Sequence, residues 1–552
     1  MTELTNTVGP LLRGTTKRAT NLARSLQVMH RAGLIPLPRV DHALQAVLAV
    51  RQYGPFAGAT RHAAQQDKHA VALIDERGAI TFAELDAQSN ALARAWTEAG
   101  HGDGTAIAAL CRDHRGLVLA MLAAGKTGAR LVMMNTGFAK PQLADVAERE
   151  GVRALVYDSE FTGLLEAIAP DVPRYLAWVD DEHDVDPGIP QLDALIAAHS
   201  TADVPAPAKP GGFVLLTSGT TGTPKGAPRD SMSVFATAQF VDRIPLRAGG
   251  VTYMAAPIFH GTGLSQFVLS FALGCTVVMN RRFNPEKTLQ GIAEHHADVL
   301  IVVPTTLARI IDLGPEVLAR YDTSSLRILF AAGSSLSPDL CRRTAEAFGD
   351  VLYNLYGSTE VAVATVATPE ELRRAPGTAG RAPVTCQVAL FDADNKRVTE
   401  PEAIGRIFVS SGLSFGGYTD GRHKEIIEGM LSSGDMGHSD SDGLLFIDGR
   451  DDDMIVSGGE NVYPLEVENL LADRDDVQDA AVVGVPDDDF GHRLRACIVS
   501  APGAAQDVHE IKAYVKDHLA RYKAPRDVVF LDELPRNATG KLLRKKLVEM
   551  TE

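Results

Sequence analysis

Between positions 216 and 226 the chain reads Leu-Thr-Ser-Gly-Thr-Thr-Gly-Thr-Pro-Lys-Gly, directly after an apolar stretch at 213–215. So many glycines, serines and threonines make a poor core strand and a poor helix. They suit a loop whose backbone N–H groups and hydroxyls surround phosphate oxygens. Thr217, Ser218, Gly219, Thr220, Thr221 and Gly222 are the candidate donors, and Lys225 adds a positive charge. A plain surface turn would leave that density of donors unexplained. The spacing is not that of a Walker A loop, G-x-x-x-x-G-K-[ST], because Pro224 precedes Lys225 and Gly226 follows it. Gly125-Lys126-Thr127 fails as well, since Ala120 stands where the earlier glycine is needed.

Other charged candidates stand singly, and a lone charge is more often solvated than functional. Their order changes that reading. Pro257-Ile-Phe-His-Gly261, Tyr356-Gly-Ser-Thr-Glu360, Ser433-Gly-Asp435, Gly449-Arg450, Ser457-Gly-Gly-Glu460 and Pro535-Arg-Asn-Ala-Thr-Gly-Lys541 follow the first run in sequence. The series resembles the adenylate-forming acyl-CoA synthetases, relatives of firefly luciferase and of peptide-synthetase adenylation domains, over nearly the whole chain beyond its N-terminal arm.

The resemblance implies an acid–thiol ligase that joins a carboxylic acid to AMP and then to coenzyme A, with ATP and Mg²⁺. It places the Tyr356 ring against adenine, the Thr359 hydroxyl on the α-phosphate and Mg²⁺ on Glu360, a hard cation on hard oxygens. Gly333 and Ser334 would line the adenine pocket, Asp435 would accept the ribose hydroxyls, and Arg450 would support the ribose. Lys541 would bridge carboxylate and phosphate oxygens from a separate domain, which rotates about a hinge at Asp452. Gly458 and Gly459 would then border a pantetheine tunnel, where absent side chains let a thin arm pass. His260 is either a structural histidine, a gate of that tunnel, or a group that orients the carboxylate.

Peptide-synthetase domains carry an aspartate where His260 follows Phe259, so an α-amino acid substrate is not expected. A fatty-acyl-AMP ligase that omits coenzyme A, and a catalytically silent acyl- or nucleotide-binding scaffold, are the alternatives. The apolar stretch at 261–271 is the expected wall of an acyl channel, with Phe267 and Phe271 one helical turn apart. Burying each methylene is worth ~0.8 kcal/mol, which favours a medium- or long-chain fatty acid. An aryl acid remains the competing substrate.

These residues need a scaffold, and the pattern supplies one. Strand-like runs at 299–303, 327–332 and 351–355 alternate with helix-like stretches at 285–296 and 337–348, as in an α/β sheet with helices on its faces. The expected fold class is α/β: a large N-terminal adenylate-forming domain of βα-layered sheets at 56–449, and a small mobile C-terminal α+β domain at 450–552. Residues 1–55 form a separate arm, where Arg13, Lys17, Arg18, Arg24, Arg31, Arg39 and Arg51 face only Glu3 and Asp41 and are interleaved with apolar residues. Such a basic amphipathic arm either lies on an anionic membrane or packs on the body.

Hydrophobic residues make up 45% and charged residues 22% of 552, a globular balance too long for one ordinary core. A net charge of −16 argues against nucleic-acid binding. Five scattered cysteines without a C-x-x-C pair, no secretory h-region and no run long enough to span a bilayer point to the cytoplasm. Oligomeric state is not legible.

Overall fold

The β-branched runs resolve into two largely parallel sheets in the computed structural model, which describes residues 20–35, 40–180, 186–217, 225–229, 237–457, 460–487, 491–537 and 540–550. One sheet has eight strands in the order Ala362–Ala367, Leu352–Ser358, Ile328–Ala332, Val299–Val302, Val251–Met254, Thr276–Met279, Val71–Asp75, Gly78–Thr81. The other has six, in the order Arg174–Trp178, Val152–Asp158, Ala106–Leu110, Arg130–Met133, Phe213–Thr217, Lys225–Arg229. Antiparallel pairs close their edges, including Leu352–Ser358 with Ala362–Ala367 and Phe213–Thr217 with Lys225–Arg229. Central strands are covered on both faces, which is why Ala106–Leu110 and Val299–Val302 are buried throughout.

Helices Phe82–Glu98, Arg115–Thr127 and Gly261–Ala272 are packed into one apolar cluster with both sheets. A helix enclosed on all sides must be apolar all round, and Arg115–Thr127 is buried from Gly116 onward. Lys126 sits within it. Its Nζ donates to Asp86 O and Oδ1, Ser89 Oγ and Asn90 Oδ1 at 2.7–2.8 Å, and burial pulls its pKa down to about 8. That ammonium is fully engaged by the fold, so Gly125-Lys126-Thr127 has no cation to offer a phosphate. The outer face of the eight-stranded sheet is covered by Pro285–His295, Pro304–Ile311 and Pro338–Phe348, each opened by a proline that needs no N–H partner there.

A third, antiparallel sheet includes Gly405–Ser410, Met430–Ser439 and Leu445–Arg450, with Asp435 paired in register opposite Arg450. A single 3₁₀ turn, Asp451–Asp453, follows. Beyond it, strands Val477–Asp487, Gly491–Ser500 and Asp527–Phe530 pack with helices Pro464–Ala472, Val508–His518 and Arg544–Glu549. Their two apolar clusters draw on residues from Ile455 to Leu547 and from no earlier position among those described, so this region carries its own core.

The arm packs on the body. Val28, Met29 and Ala32 are buried, and Arg24 and Arg31 reach Asp242. Helix Val40–Gln66, which begins in the arm and runs on into the body, is broken at Gly54, where a φ of 84° and the missing N–H of Pro55 interrupt the hydrogen-bond ladder. Leu22, Leu26, Leu44, Val47 and Leu48 point outward, 41–59% exposed. No helix among the described residues is long and apolar enough to cross a membrane. All five cysteines are buried and unpaired.

Candidate active site

Loops at the carboxyl ends of parallel strands are where an open α/β sheet presents its chemistry. Gly333 and Ser334 follow Ile328–Ala332, Thr359 and Glu360 follow Leu352–Ser358, and the Pro257–Gly261 motif follows Val251–Met254. These residues border a cavity of about 3500 Å³ that residues of the C-terminal region line from the other side. Lys225, His260, Gly333, Ser334, Tyr356, Thr359, Glu360, Asp435, Arg450 and Lys541 all line it. Positions more than 300 residues apart in sequence thus share one space.

Tyr356 and Asp435, read separately in the sequence, are joined. The Tyr356 hydroxyl donates to Asp435 Oδ2 at 2.6 Å, and Arg450 Nη1 donates to Oδ1 at 3.4 Å. Burial raises the Asp435 carboxyl, against the charges of Arg450, Lys424 and Lys541. The Ser433 hydroxyl accepts from the Asp435 amide at 3.1 Å and donates to Ile407 O at 3.0 Å, which fixes the turn.

Glu360 is also held on both oxygens. Tyr418 OH donates to Oε1 at 2.6 Å and Ser358 Oγ to Oε2 at 2.8 Å. Burial raises this carboxyl, but the two hydroxyl bonds and the Lys424 charge hold it below its ordinary value. The end of the strand before it demands glycine, because a Cβ on Gly357 would overlap the carbonyl oxygen of Ala362. Each Glu360 oxygen keeps a free lone-pair direction, so the residue fits a hard cation. Tyr418 was missed by sequence reading, since nothing in its spacing links it to Glu360. Its ring also faces the Lys225 ammonium at 5.0 Å.

His260 is the residue before helix Gly261–Ala272, and its Nε2 is buried with no hydrogen-bond partner among the described residues. Burial pulls its pKa down to about 3, so the ring is neutral at ordinary pH. The Ser334 hydroxyl is likewise buried without a partner among the described residues. On the helix itself, Leu264, Ser265 and Val268 line the cavity. Phe267 and Phe271, expected there, are turned away and fully buried against Phe56 and Phe82, with ring centroids 5.0–5.2 Å apart. The helix packs between strands Val251–Met254 and Thr276–Met279 on one side and helix Val40–Gln66 on another, and its larger side chains fill the core.

Lys541 reaches the cavity from a clamped loop. Its amide donates to Asn537 Oδ1 at 2.8 Å, Arg536 donates to Gly540 O at 2.8 Å, and Arg536 pairs with Asp479 at 2.9 Å. A Cβ on Gly540 would overlap the Thr305 hydroxyl, so this loop is seated directly on the large domain. Arg342 and Asp473 pair across the same seam at 2.7 Å. Ser218, Gly219, Thr220, Thr221 and Gly222, and Gly458 and Gly459, lie outside the described residues, as does the side chain of Asp452. Thr217, of which the backbone is described, pairs with Lys225 across an antiparallel ladder.

A second cluster, Cys111, His114 and Asp158, is close enough to hold a metal but is engaged otherwise. His114 Nδ1 accepts from the Gly116 amide at 3.0 Å and Nε2 bonds Asp158 at 2.8 Å, while burial and Asp158 push the Cys111 thiol well up. The group caps a helix.

Comparison with known proteins matches a family model described as AMP-binding enzyme over residues 60–419 and one described as AMP-binding enzyme C-terminal domain over 466–541. The chain is 30% identical over 503 residues to an indoleacetate–CoA ligase of Aromatoleum aromaticum, spanning 87% of this chain and 95% of the relative. It is 29% identical over 481 residues to a long-chain-fatty-acid–CoA ligase of Mycobacterium tuberculosis, spanning 85% and 93%. Among solved structures it resembles the o-succinylbenzoate CoA synthetase of Bacillus subtilis in complex with its acyl-adenylate intermediate, at 28% identity, a TM-score of 0.76 and coverage of 90% and 98%.

Proposed function

The chain belongs to the adenylate-forming acyl-CoA synthetases, AMP-forming ligases that use ATP, Mg²⁺ and coenzyme A, and we propose that the acid it activates is a medium- or long-chain fatty acid. The observation that carries this reading is the cavity wall beside His260. Leu264 and Val268, one helical turn apart, face the cavity, and Leu215, Phe240 and Leu413 border it too. Such a wall rewards an alkyl chain by its buried area.

In this reading Asp435 accepts the ribose hydroxyls. Its two oxygens have capacity beyond the bonds from Tyr356 and Arg450. Glu360 would hold Mg²⁺, which would supply charge neutralisation at the phosphates. The neutral His260 ring donates its buried Nε2–H, which has no partner among the described residues, to a carboxylate oxygen of the acid. That oxygen attacks the α-phosphorus, pyrophosphate leaves, and Thr359 and Lys541 hold the oxygens in line. The small domain then turns about Asp452, Lys541 withdraws, and the thiol approaches past Gly458 and Gly459 to displace AMP. The outward leucines of the arm, with Arg24 and Arg31 nearby in sequence, lie against an anionic membrane from which a lipid-derived acid is taken.

A second reading, an aryl acid, is favoured by the indoleacetate and o-succinylbenzoate ligases among the relatives. Pyrophosphate release across saturated and aryl acids separates them. For a fatty-acid enzyme kcat/KM rises with chain length by up to ~4-fold per methylene until the channel ends. A flat profile, or an aryl acid as the best substrate, selects the second reading.

A further inference from the structure

Lys424 belongs to none of the motifs, yet it stands among the charges of the cavity. It lies in the segment between Tyr418 and strand Ile426–Ile427 and lines the same space as Tyr356, Asp435, Arg450 and Lys541. A Cβ on Gly434 would lie 3.0 Å from Lys424 Nζ and 3.3 Å from Arg450 Nη2. The two cationic heads therefore bracket the glycine next to Asp435. Lys424 also faces Glu360. Burial raises both carboxyls, and the Lys424 charge opposes that rise in each.

Among the described residues, the Lys424 ammonium has neither a hydrogen bond nor an ion pair. The contrast with Lys126, whose ammonium has four acceptors within 2.8 Å, is direct. The neighbouring carboxylates do not close on it, because each is anchored elsewhere: Asp435 by Tyr356 and Arg450, Glu360 by Tyr418 and Ser358. A half-buried cation left open between two anchored carboxylates fits a third anion. If Asp435 holds the ribose and Glu360 the metal, the group that must lie between them is the α-phosphate.

We infer that Lys424 binds the α-phosphate oxygens of the nucleotide, and that it does so in both half-reactions. This rests on the ligase reading above. Lys541 is carried by the C-terminal region with its own core, and leaves when that region turns. Lys424 belongs to the large domain and stays. In the second half-reaction the thiol sulfur bonds to the acyl carbon, the carbonyl carbon–phosphate oxygen bond breaks, and its electron pair passes to the phosphate of departing AMP. The thiol proton goes to water. Negative charge grows on that phosphate after Lys541 has gone, and Lys424 is the cation that meets it.

Calorimetric binding of AMP and adenosine to the full chain tests this. Lys424→Met should weaken AMP by about 10- to 100-fold, the scale of one charge-assisted hydrogen bond, and leave adenosine unchanged. Lys424→Arg should recover part of the loss. Thioester formation from synthetic acyl-adenylate should fall at least about 10-fold in Lys424→Met yet persist in Lys541→Met. If AMP and adenosine weaken together, or the unfolding midpoint falls with them, Lys424 supports the fold or the ribose and the inference is wrong. Unchanged AMP binding refutes it as well. Wild-type protein that binds no AMP would instead overturn the ligase reading.

Discussion

His260 carries a pH signature that separates burial from catalysis. In the unfolded chain its pKa is that of an ordinary histidine, ~6.5, whereas burial holds it near about 3 in the fold. Above the unfolded value both states are neutral and nothing is lost. Below it the unfolded chain takes up a proton that the native ring refuses, so stability falls as pH drops from ~6.5 toward the folded value, by about 1.4 kcal/mol per unit. Urea unfolding at pH 6.5 and 5 should show the wild type losing about 2 kcal/mol more than His260→Gln. Equal losses would mean that the ring is open to water. Thr359, Glu360, Asp435 and Lys541 were marked as candidates by their motifs, and the structure sets all four on one cavity. Tyr418 and Lys424 were not so marked, because their roles come from partners brought close only by the fold.

At the scale of elements, the strands and helices around 285–355 were readable to within a residue or two at most ends, since β-branched runs and proline-opened helices announce themselves. Helix Gly261–Ala272 was readable as a helix, but its faces were not. A segment apolar on all sides gives no sign of which residues meet the cavity and which the core. The structure divides them, and two substitutions exploit that division. Val268→Phe should shorten the acyl channel and lower kcat/KM for long acids more than for short ones. Phe267→Ala should cost about 3–5 kcal/mol of stability, measured by denaturant unfolding, and leave chain-length preference intact. A Phe267→Ala enzyme with altered chain-length preference would put that ring back in the channel.

For the molecule as a whole, the arm is the part whose role the sequence left open. Packing on the body does not compete with membrane contact, because Val28, Met29 and Ala32 use one side and Leu22, Leu26, Leu44, Val47 and Leu48 another. Deleting the arm would uncover core, so the cleaner test is Leu44→Glu with Leu48→Glu. Cosedimentation with anionic vesicles should fall, and salt should weaken binding by the wild type, while turnover of a short soluble acid and the unfolding midpoint stay as they were. Vesicle binding equal to the wild type would leave the arm a purely structural element. Composition alone could not assign those two sides, nor bring the C-terminal loop of Lys541 against Thr305. One further property belongs to the entire chain. An acyl-adenylate is a strong acylating agent, and any thiolate within reach would become its victim. None of the five cysteines lines the cavity, and burial pushes their thiols up, Cys275 and Cys341 to about 11 and Cys386 to about 12. The cavity therefore offers an activated acyl group no cysteine thiolate to label.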